Sequence, residues 1–311
     1  MKTVIFILGY RAMPYIKKGY LQGIIDASMQ LSEYKIVYLD NYSRDGSVKY
    51  IKEHHPEIDL LLSGWNRLYC AAINCGIQYI RRRYNPDYYI LVDADNSCEK
   101  NAYKELVTYA ETHPNAGIIQ PMVYKPDGTM YSCGHYIDEN YNCRTKKTLP
   151  KDSNLDDMLS CSISSTLIRR ELLEKCGLLD EVYQIYWESM DLSFRARKNG
   201  FLCACHPLSI TYNKGVHVEE IDSYHEYYFR NRNRIIFWCK HDSLIFQKVA
   251  EDAHRILKDY QLREEQSDWG LSAQEEATIH GLRDGINLTN GAVTQSIPRI
   301  DGYRKGDIIL M

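Results

Sequence analysis

The sequence is short of several things, and each shortage excludes something. None of its 311 residues falls in an apolar run approaching the roughly 20 residues that span a bilayer. The apolar run at residues 4–8 is too short for a signal peptide, and Gly9-Tyr10-Arg11 follows it without a cleavage-like pattern. A soluble, cytoplasmic protein is therefore expected, and peripheral membrane contact stays compatible with the composition. No two of the ten cysteines have the CxxC spacing of a zinc site or a redox dithiol. They are scattered from Cys70 to Cys239, and Cys203-x-Cys205 alternates as small buried residues in a strand do. Reduced thiols fit this pattern better than a disulfide frame. Net charge is only −3, from 38 basic and 41 acidic residues, so nothing attracts nucleic acid globally. The phosphate fingerprints GxGxxG and GxxxxGK with Ser or Thr are both missing, which disfavours a dinucleotide fold or a P-loop. No internal repeat is present, and no linker rich in Pro, Gly or Ser divides the chain.

What is present is ordinary globular material, 44% hydrophobic and 25% charged, with enough apolar residues for a core. The organising stretch is residues 88–96, YYILVDADN. Five bulky residues in a row suit a strand buried on both faces of a parallel sheet. The run stops at Asp93-Ala94-Asp95. Carboxylates at i and i+2 on an extended chain point to the same side. At a strand's carboxyl end they would face the crevice where open α/β sheets bind ligands. Paired hard oxygens suit Mg²⁺ or Mn²⁺.

Strand-like segments at residues 3–8, 35–39, 59–62 and 118–123 alternate with helix-like ones at 13–31, 47–54, 66–83 and 101–113. That alternation points to βαβ units. Residues 125–157 read as loop, with a hairpin expected at 130–136. A strand is expected at 160–168, a helix at 187–199 closed by Gly200, a strand at 201–212 and mostly helix over 224–259. The last fifty residues lack a clear period and read as an extended wrap or partner-binding tail.

Several side chains are candidates for chemistry. Asp40, at the end of the second strand, could accept hydrogen bonds from a base or sugar, or cap the next helix. Asp45-Gly46-Ser47 reads as turn and cap. Arg67 opens a helix and either meets a diphosphate or stays solvated. Glu188 and Asp191 share a helix face, so one could be a general base and the other could orient the acceptor. Tyr186 and Trp187 beside them either stack on a sugar or pack in the core. His206, His217 and His225 are spread nearby, and one could complete a metal site with Asp95. The basic run at residues 228–234 either binds a phosphate-bearing ligand or is a solvated helix face.

The order of these pieces resembles glycosyltransferase family 2 over roughly residues 3–291. The matching segments are LDNYSRDGS, GWNRLYCAAINCGI, LVDADN, SSTLIRRELLEKCGLLDE, YWESMDLSFRARKNGF, YYFRNRN and GLRDGI, in that order. The resemblance implies a GT-A fold, a Rossmann-like α/β architecture with a mixed, mostly parallel sheet. It places a catalytic domain at residues 1–240 and a helical and extended region at 241–311. It implies a nucleotide-sugar donor, a Mg²⁺ or Mn²⁺ cofactor and an inverting transfer to a glycan, lipid-linked or small-molecule acceptor. Asp40, with Asn41 and Arg67, would contact the donor, and Asp93, Ala94 and Asp95 would hold the metal and the diphosphate. The acidic motif would supply the base.

The chain departs from the family pattern twice. Ser189 stands where the family usually has the Asp that acts as its base, and Glu188-Ser-Met-Asp191 fits a rhamnosyltransferase-like branch better. The base is then Glu188 or Asp191, or it has been lost. The family's metal-binding His, counted from Pro207, falls on Asn213, and His217 is four residues late. The alternatives are a nucleotide-sugar-binding protein without catalysis, and a sugar nucleotidyltransferase, whose glycine-rich N-terminal loop is missing here. Acceptor contacts are expected from residues 125–157 and the C-terminal tail. The tail's apolar residues need cover, and a homodimer contact is the expected way to supply it.

Overall fold

The structure is a computed structural model that describes residues 1–149, 154–213, 223–266, 270–289 and 308–310. Its centre is a ten-stranded mixed sheet. Four parallel strands form one half: β1 (Thr3–Gly9), β2 (Tyr34–Asp40), β3 (Asp59–Ser63) and β4 (Tyr88–Asp93). They lie in the order β3-β2-β1-β4. Their unbroken apolar runs follow from burial on both faces, and Val4, Ile5, Phe6 and Ile7 are all fully buried. Successive strands move outward from β1 to β3, and β4 then returns to the other side of β1. The reversal opens a crevice at the carboxyl ends of β1 and β4.

The other half carries the antiparallel elements. β10 (Thr166–Arg169) pairs antiparallel with β4 and with β6 (Ala116–Tyr124). β11 (Leu202–Asn213) runs parallel to β6 and ends antiparallel to β5 (Asn96–Cys98). At the far edge β12 (Ile308–Leu310) pairs antiparallel with β3.

Four segments differ from the sequence expectation. The helix expected at 13–31 is two, α1 (Met13–Lys17) and α2 (Tyr20–Ser28), because Gly19 takes a left-handed φ of 83° between them. The strand expected at 160–168 forms a ladder only over β10, apart from a single bridge between Ser160 and His135, and Ser165 just before β10 has a φ of 57° that breaks the extended run. The hairpin expected at 130–136 is displaced. β7 (Met130–Ser132) adds to β6, while β8 (His135–Ile137) pairs with β9 (Cys143–Thr145) in a separate two-stranded sheet.

The fourth difference is in the tail, where residues 273–289 are not extended but form helix α10 (Ala273–Thr289). It packs on α8 (Ser223–His241) and buries Ile279, Leu282 and Ile286 within the same chain. α9 (Ser243–Gln266) also packs on α8, so residue 240, the expected boundary, falls at the end of α8. The tail residues at 290–307 lie outside the described residues.

The α8–α10 contact is backbone-close. A Cβ on Gly281 would sit 2.4 Å from the Tyr228 carbonyl oxygen, and one on Gly285 would sit 2.9 Å from that of Arg232. Gly281→Val should therefore push the helices apart and destabilise the protein by about 1–3 kcal/mol, the usual cost of overpacking. Urea denaturation would read the loss, and an unchanged midpoint would show that the helices can slide. No helix among the described residues is long and apolar enough to cross a membrane.

Candidate active site

The register of the parallel half lines up the first group of candidate residues. Gly9 on β1 faces Asp40 on β2, and Leu8 faces Asp93 on β4. Asp40 is buried and bound locally, accepting from the Ser43 backbone N–H at 2.7 Å and from the Ser47 hydroxyl at 3.5 Å. Burial raises its carboxyl above the usual range, against those two bonds. Asp45 takes the turn role expected of it, accepting from the backbone N–H groups of Met13 and Ser47. Asn41 pins the next loop. Its side-chain oxygen accepts from the Arg67 backbone N–H at 2.9 Å, and its amide donates to Asn66 and to the Leu68 carbonyl. Arg67 donates to the Ser63 hydroxyl and lies 4.5 Å over the Trp65 ring.

Asp93 and Asp95 flank the buried Ala94, whose N–H donates to the Leu8 carbonyl at 3.0 Å. Asp93 Oδ1 is sealed from water and meets no donor. Burial pushes the Asp93 carboxyl well up, and the charge of Asp95 adds to the shift, although Ser164 and Tyr69 favour the ionised form. Two crowded hard oxygens with one orphaned atom fit a divalent cation. Asp93 and Asp95 would hold it, with the remaining positions left to diphosphate oxygens and water. Among the described residues no cluster of three His, Cys, Asp or Glu side chains supplies a fuller set. His217 lies outside the described residues. His206 pairs with Glu105 and packs at a tilt against the Tyr109 ring. Asn213, the residue six beyond Pro207, ends β11 opposite Asn96, and its amide donates to the Asn96 side chain.

The acidic motif opens α7 (Glu188–Lys198). The structure separates its two carboxylates. Glu188 lines a cavity of about 200 Å³ that also reaches Asn96, Ser164 and Asn213 beside the Asp93 turn. Its side chain is buried, Ser189 donates to Oε1 at 3.1 Å, and Oε2 is sealed without a partner. Burial raises its pKa.

Asp191 does not line this cavity. It is fully buried in a cationic cluster, accepting from Arg195 Nε at 2.8 Å, Lys240 Nζ at 2.7 Å and His241 Nε2 at 2.9 Å. Tyr183 donates to it as well, at 3.2 Å. Burial opposes its charge, but the His241 bond and the charges of Arg195 and Lys240 win and hold its carboxyl far below the usual range. A depressed folded pKa means that the stabilisation is present above the unfolded value of about 4 and is lost as pH falls below it. Asp191→Asn should thus cost about 3–5 kcal/mol at pH 7, the usual result of stripping one partner from a buried pair. The gap between the two proteins should narrow at pH 3. A constant gap from pH 7 to pH 3 would show that the cluster contributes shape and not charge.

Glu188 is held in place by a strained loop. Gln184, Tyr186 and Trp187 all have left-handed φ values, 62°, 66° and 71°. Side chains of this size rarely adopt that conformation unless the surroundings impose it. Asn233 of α8 imposes it. Fully buried, its amide nitrogen lies 2.8–2.9 Å from the carbonyls of Tyr183, Ile185 and Tyr186. Arg232 donates to the Val182 carbonyl, and Trp187 Nε1 donates to the Arg230 carbonyl. The basic run is therefore not a solvated face. Arg232 and Arg234 turn inward, Arg234 to Asp252, and Arg230 lines the cavity. Tyr131, His135 and Thr145 also line it, from β7, β8 and β9. The sequence reading placed acceptor contacts in residues 125–157 but singled out none of these three, because three-residue strands in a loop-rich stretch carry no periodic signal.

A curled, mixed sheet with helices on its faces and a strand-end carboxylate pair at its switch point has the architecture of the GT-A fold. The chain matches the model of "Glycosyl transferase family 2" over residues 15–177, just over half its length. It belongs to that family and is a glycosyltransferase. It is similar to the low-salt glycan biosynthesis hexosyltransferase Agl10 of Haloferax volcanii, at 24% identity over 75% of this chain and 74% of the relative. It is also similar to the N-acetylglucosaminyl-diphospho-decaprenol L-rhamnosyltransferase of Mycobacterium tuberculosis, at 24% identity over 54% of this chain and 62% of that one. Among solved structures, TarS 1–349 of S. aureus superposes with a TM-score of 0.58 at 14% identity, covering 94% of this chain and 82% of its own. The mannosyltransferase PcManGT of Pyrobaculum calidifontis, in complex with GDP-Man and Mn²⁺, gives 0.55 at 12% identity, covering 96% of this chain and 76% of its own.

Proposed function

We propose that the enzyme is a metal-dependent inverting transferase that moves a hexosyl or deoxyhexosyl group from a nucleotide sugar to an acceptor hydroxyl, with Glu188 as the base. The observation that carries this reading is the buried, unpartnered Glu188 Oε2 in a cavity that reaches the Asp93–Asp95 turn. The acceptor oxygen bonds to the anomeric carbon as that carbon's bond to the diphosphate breaks. The electron pair leaves with the diphosphate, and the acceptor proton passes to Glu188. A divalent cation held by Asp93 and Asp95 would offset the charge on the leaving group. Asp40 and Arg67 face the donor side, and Asp191 positions α7 without touching substrate. A glycan or lipid-linked acceptor is supported by the names of the curated relatives. The composition fits a cytoplasmic location.

Thermal-shift screening of UDP-, GDP- and dTDP-sugars with Mn²⁺ would find the donor, because a bound ligand raises apparent stability. Proton NMR of the transfer product then decides the stereochemistry. An inverted anomeric centre is expected, and a retained one would overturn the reading.

A further inference from the structure

The cavity at Glu188 holds a second orphaned acceptor. His135 sits on β8, and its ring Nδ1 is sealed from water without a hydrogen-bond partner. The Cys161 backbone favours the protonated ring through a hydrogen bond. A carbonyl can only accept, and Nδ1 has no partner, so assigning the ring proton to Nε2 satisfies the Cys161 contact and leaves Nδ1 with a lone pair. Burial and the nearby charge of Arg230 lower the His135 pKa to about 4, which keeps the ring neutral at physiological pH. Glu188 Oε2, the other orphan in this lining, is also an acceptor.

Two buried acceptors need a ligand that brings two donors. Arg230, the cationic side chain in the lining, is already bound to Glu226 at 2.8 Å and stacked on Tyr186 at 4.5 Å. A phosphate brings acceptors and negative charge, which the two orphaned acceptors of Glu188 and His135 would oppose, while the Arg230 charge is already offset by Glu226. A sugar brings hydroxyl donors, and its apolar face suits the Tyr131 and Tyr186 rings.

We propose that His135 is a further specificity-determining residue for this reaction: a neutral saccharide acceptor binds beside Glu188 through two hydroxyls, and His135 fixes which of them reacts. One hydroxyl donates to His135 Nδ1, and that bond turns the other toward Glu188 Oε2. The proposal rests on Glu188 being the base.

The test uses the full chain with Mn²⁺ and UDP, GDP or dTDP, and two probe pools. One pool holds neutral methyl glycosides and oligosaccharides, and the other holds the corresponding sugar phosphates. Saturation-transfer NMR reads what is retained. The wild type should retain a neutral glycan. His135→Phe should weaken that binding about tenfold or more, since one hydroxyl is left without a partner. His135→Asn, whose side-chain oxygen can occupy the Nδ1 position, should restore much of it. Metal-dependent nucleotide binding should be equal in all three, which controls for folding. His135→Ala serves if Phe is not accommodated. Retention of sugar phosphates alone, of neither pool, or of neutral glycans equally in every variant would overturn the proposal. Glu188→Gln separates the two readings. It keeps an acceptor oxygen in the cavity, so glycan retention should survive while transfer is lost. If transfer survives in Glu188→Gln but retention still depends on His135, the base assignment fails and the role of His135 stands.

Discussion

Glu188→Gln should lower transfer by about two to four orders of magnitude, the usual worth of a general base. The substitution preserves the shape of a side chain packed at the start of α7 and removes only the ability to take a proton. Two features of the structure prepare Glu188 for that task. Burial raises its pKa toward the working pH, where a base has both the right protonation state and useful driving force. The left-handed run at Gln184, Tyr186 and Trp187, clamped by Asn233, fixes where the carboxylate points. Donor affinity should change little, because Asp93 and Asp95, which hold the donor's metal in this reading, are not part of the Glu188 cavity lining. Steady-state rates with calorimetric donor affinity would check both halves. Full activity in the variant would mean that another group takes the proton.

Asp93→Asn should act in two opposite directions. In the absence of metal it should stabilise the protein. The Asp93 carboxyl has a raised folded pKa, because burial and Asp95 oppose its charge. Such a group stabilises the fold only while protonated. That contribution is complete below the unfolded pKa of about 4 and is lost as pH rises through the folded value. At neutral pH an uncharged Asn removes the repulsion, so the melting temperature should rise by a few degrees, about what 1 kcal/mol gives in a chain of this size. With Mn²⁺ and a nucleoside diphosphate the order should reverse. The bound cation supplies the charge that the carboxylate pair opposes, and the variant should lose at least about a hundredfold in metal-dependent affinity. Even outer-shell partners of metal sites cost ten- to a hundredfold. Melting curves with and without Mn²⁺, and calorimetry with and without chelator, would read both effects. Nucleotide affinity indifferent to metal in the wild type would sink the assignment of this pair.

The parallel half of the fold was legible in the sequence because its physics is local. Strands buried on both faces must be continuously apolar, so β1, β2 and β4 announce themselves. The two aspartates at the end of β4 follow from the same run stopping. Gly200 closed its helix as expected, with a φ of 83°. Other features depended on contacts between distant segments. Glu188 and Asp191 have the same chemistry and nearly the same position, so spacing could not rank them. Only the packing of α8 did so, since it brings Lys240 and His241 to Asp191, while Glu188 stays in the cavity lining with Oε2 unpartnered. Helix α10 was unreadable for a related reason. Its glycines lower helix propensity, and their value appears only where Tyr228 and Arg232 approach within backbone contact. His135 carried no motif at all. Its significance arises from a two-stranded sheet placing one ring nitrogen, without a partner, in the same cavity as a carboxylate 53 positions later in the chain.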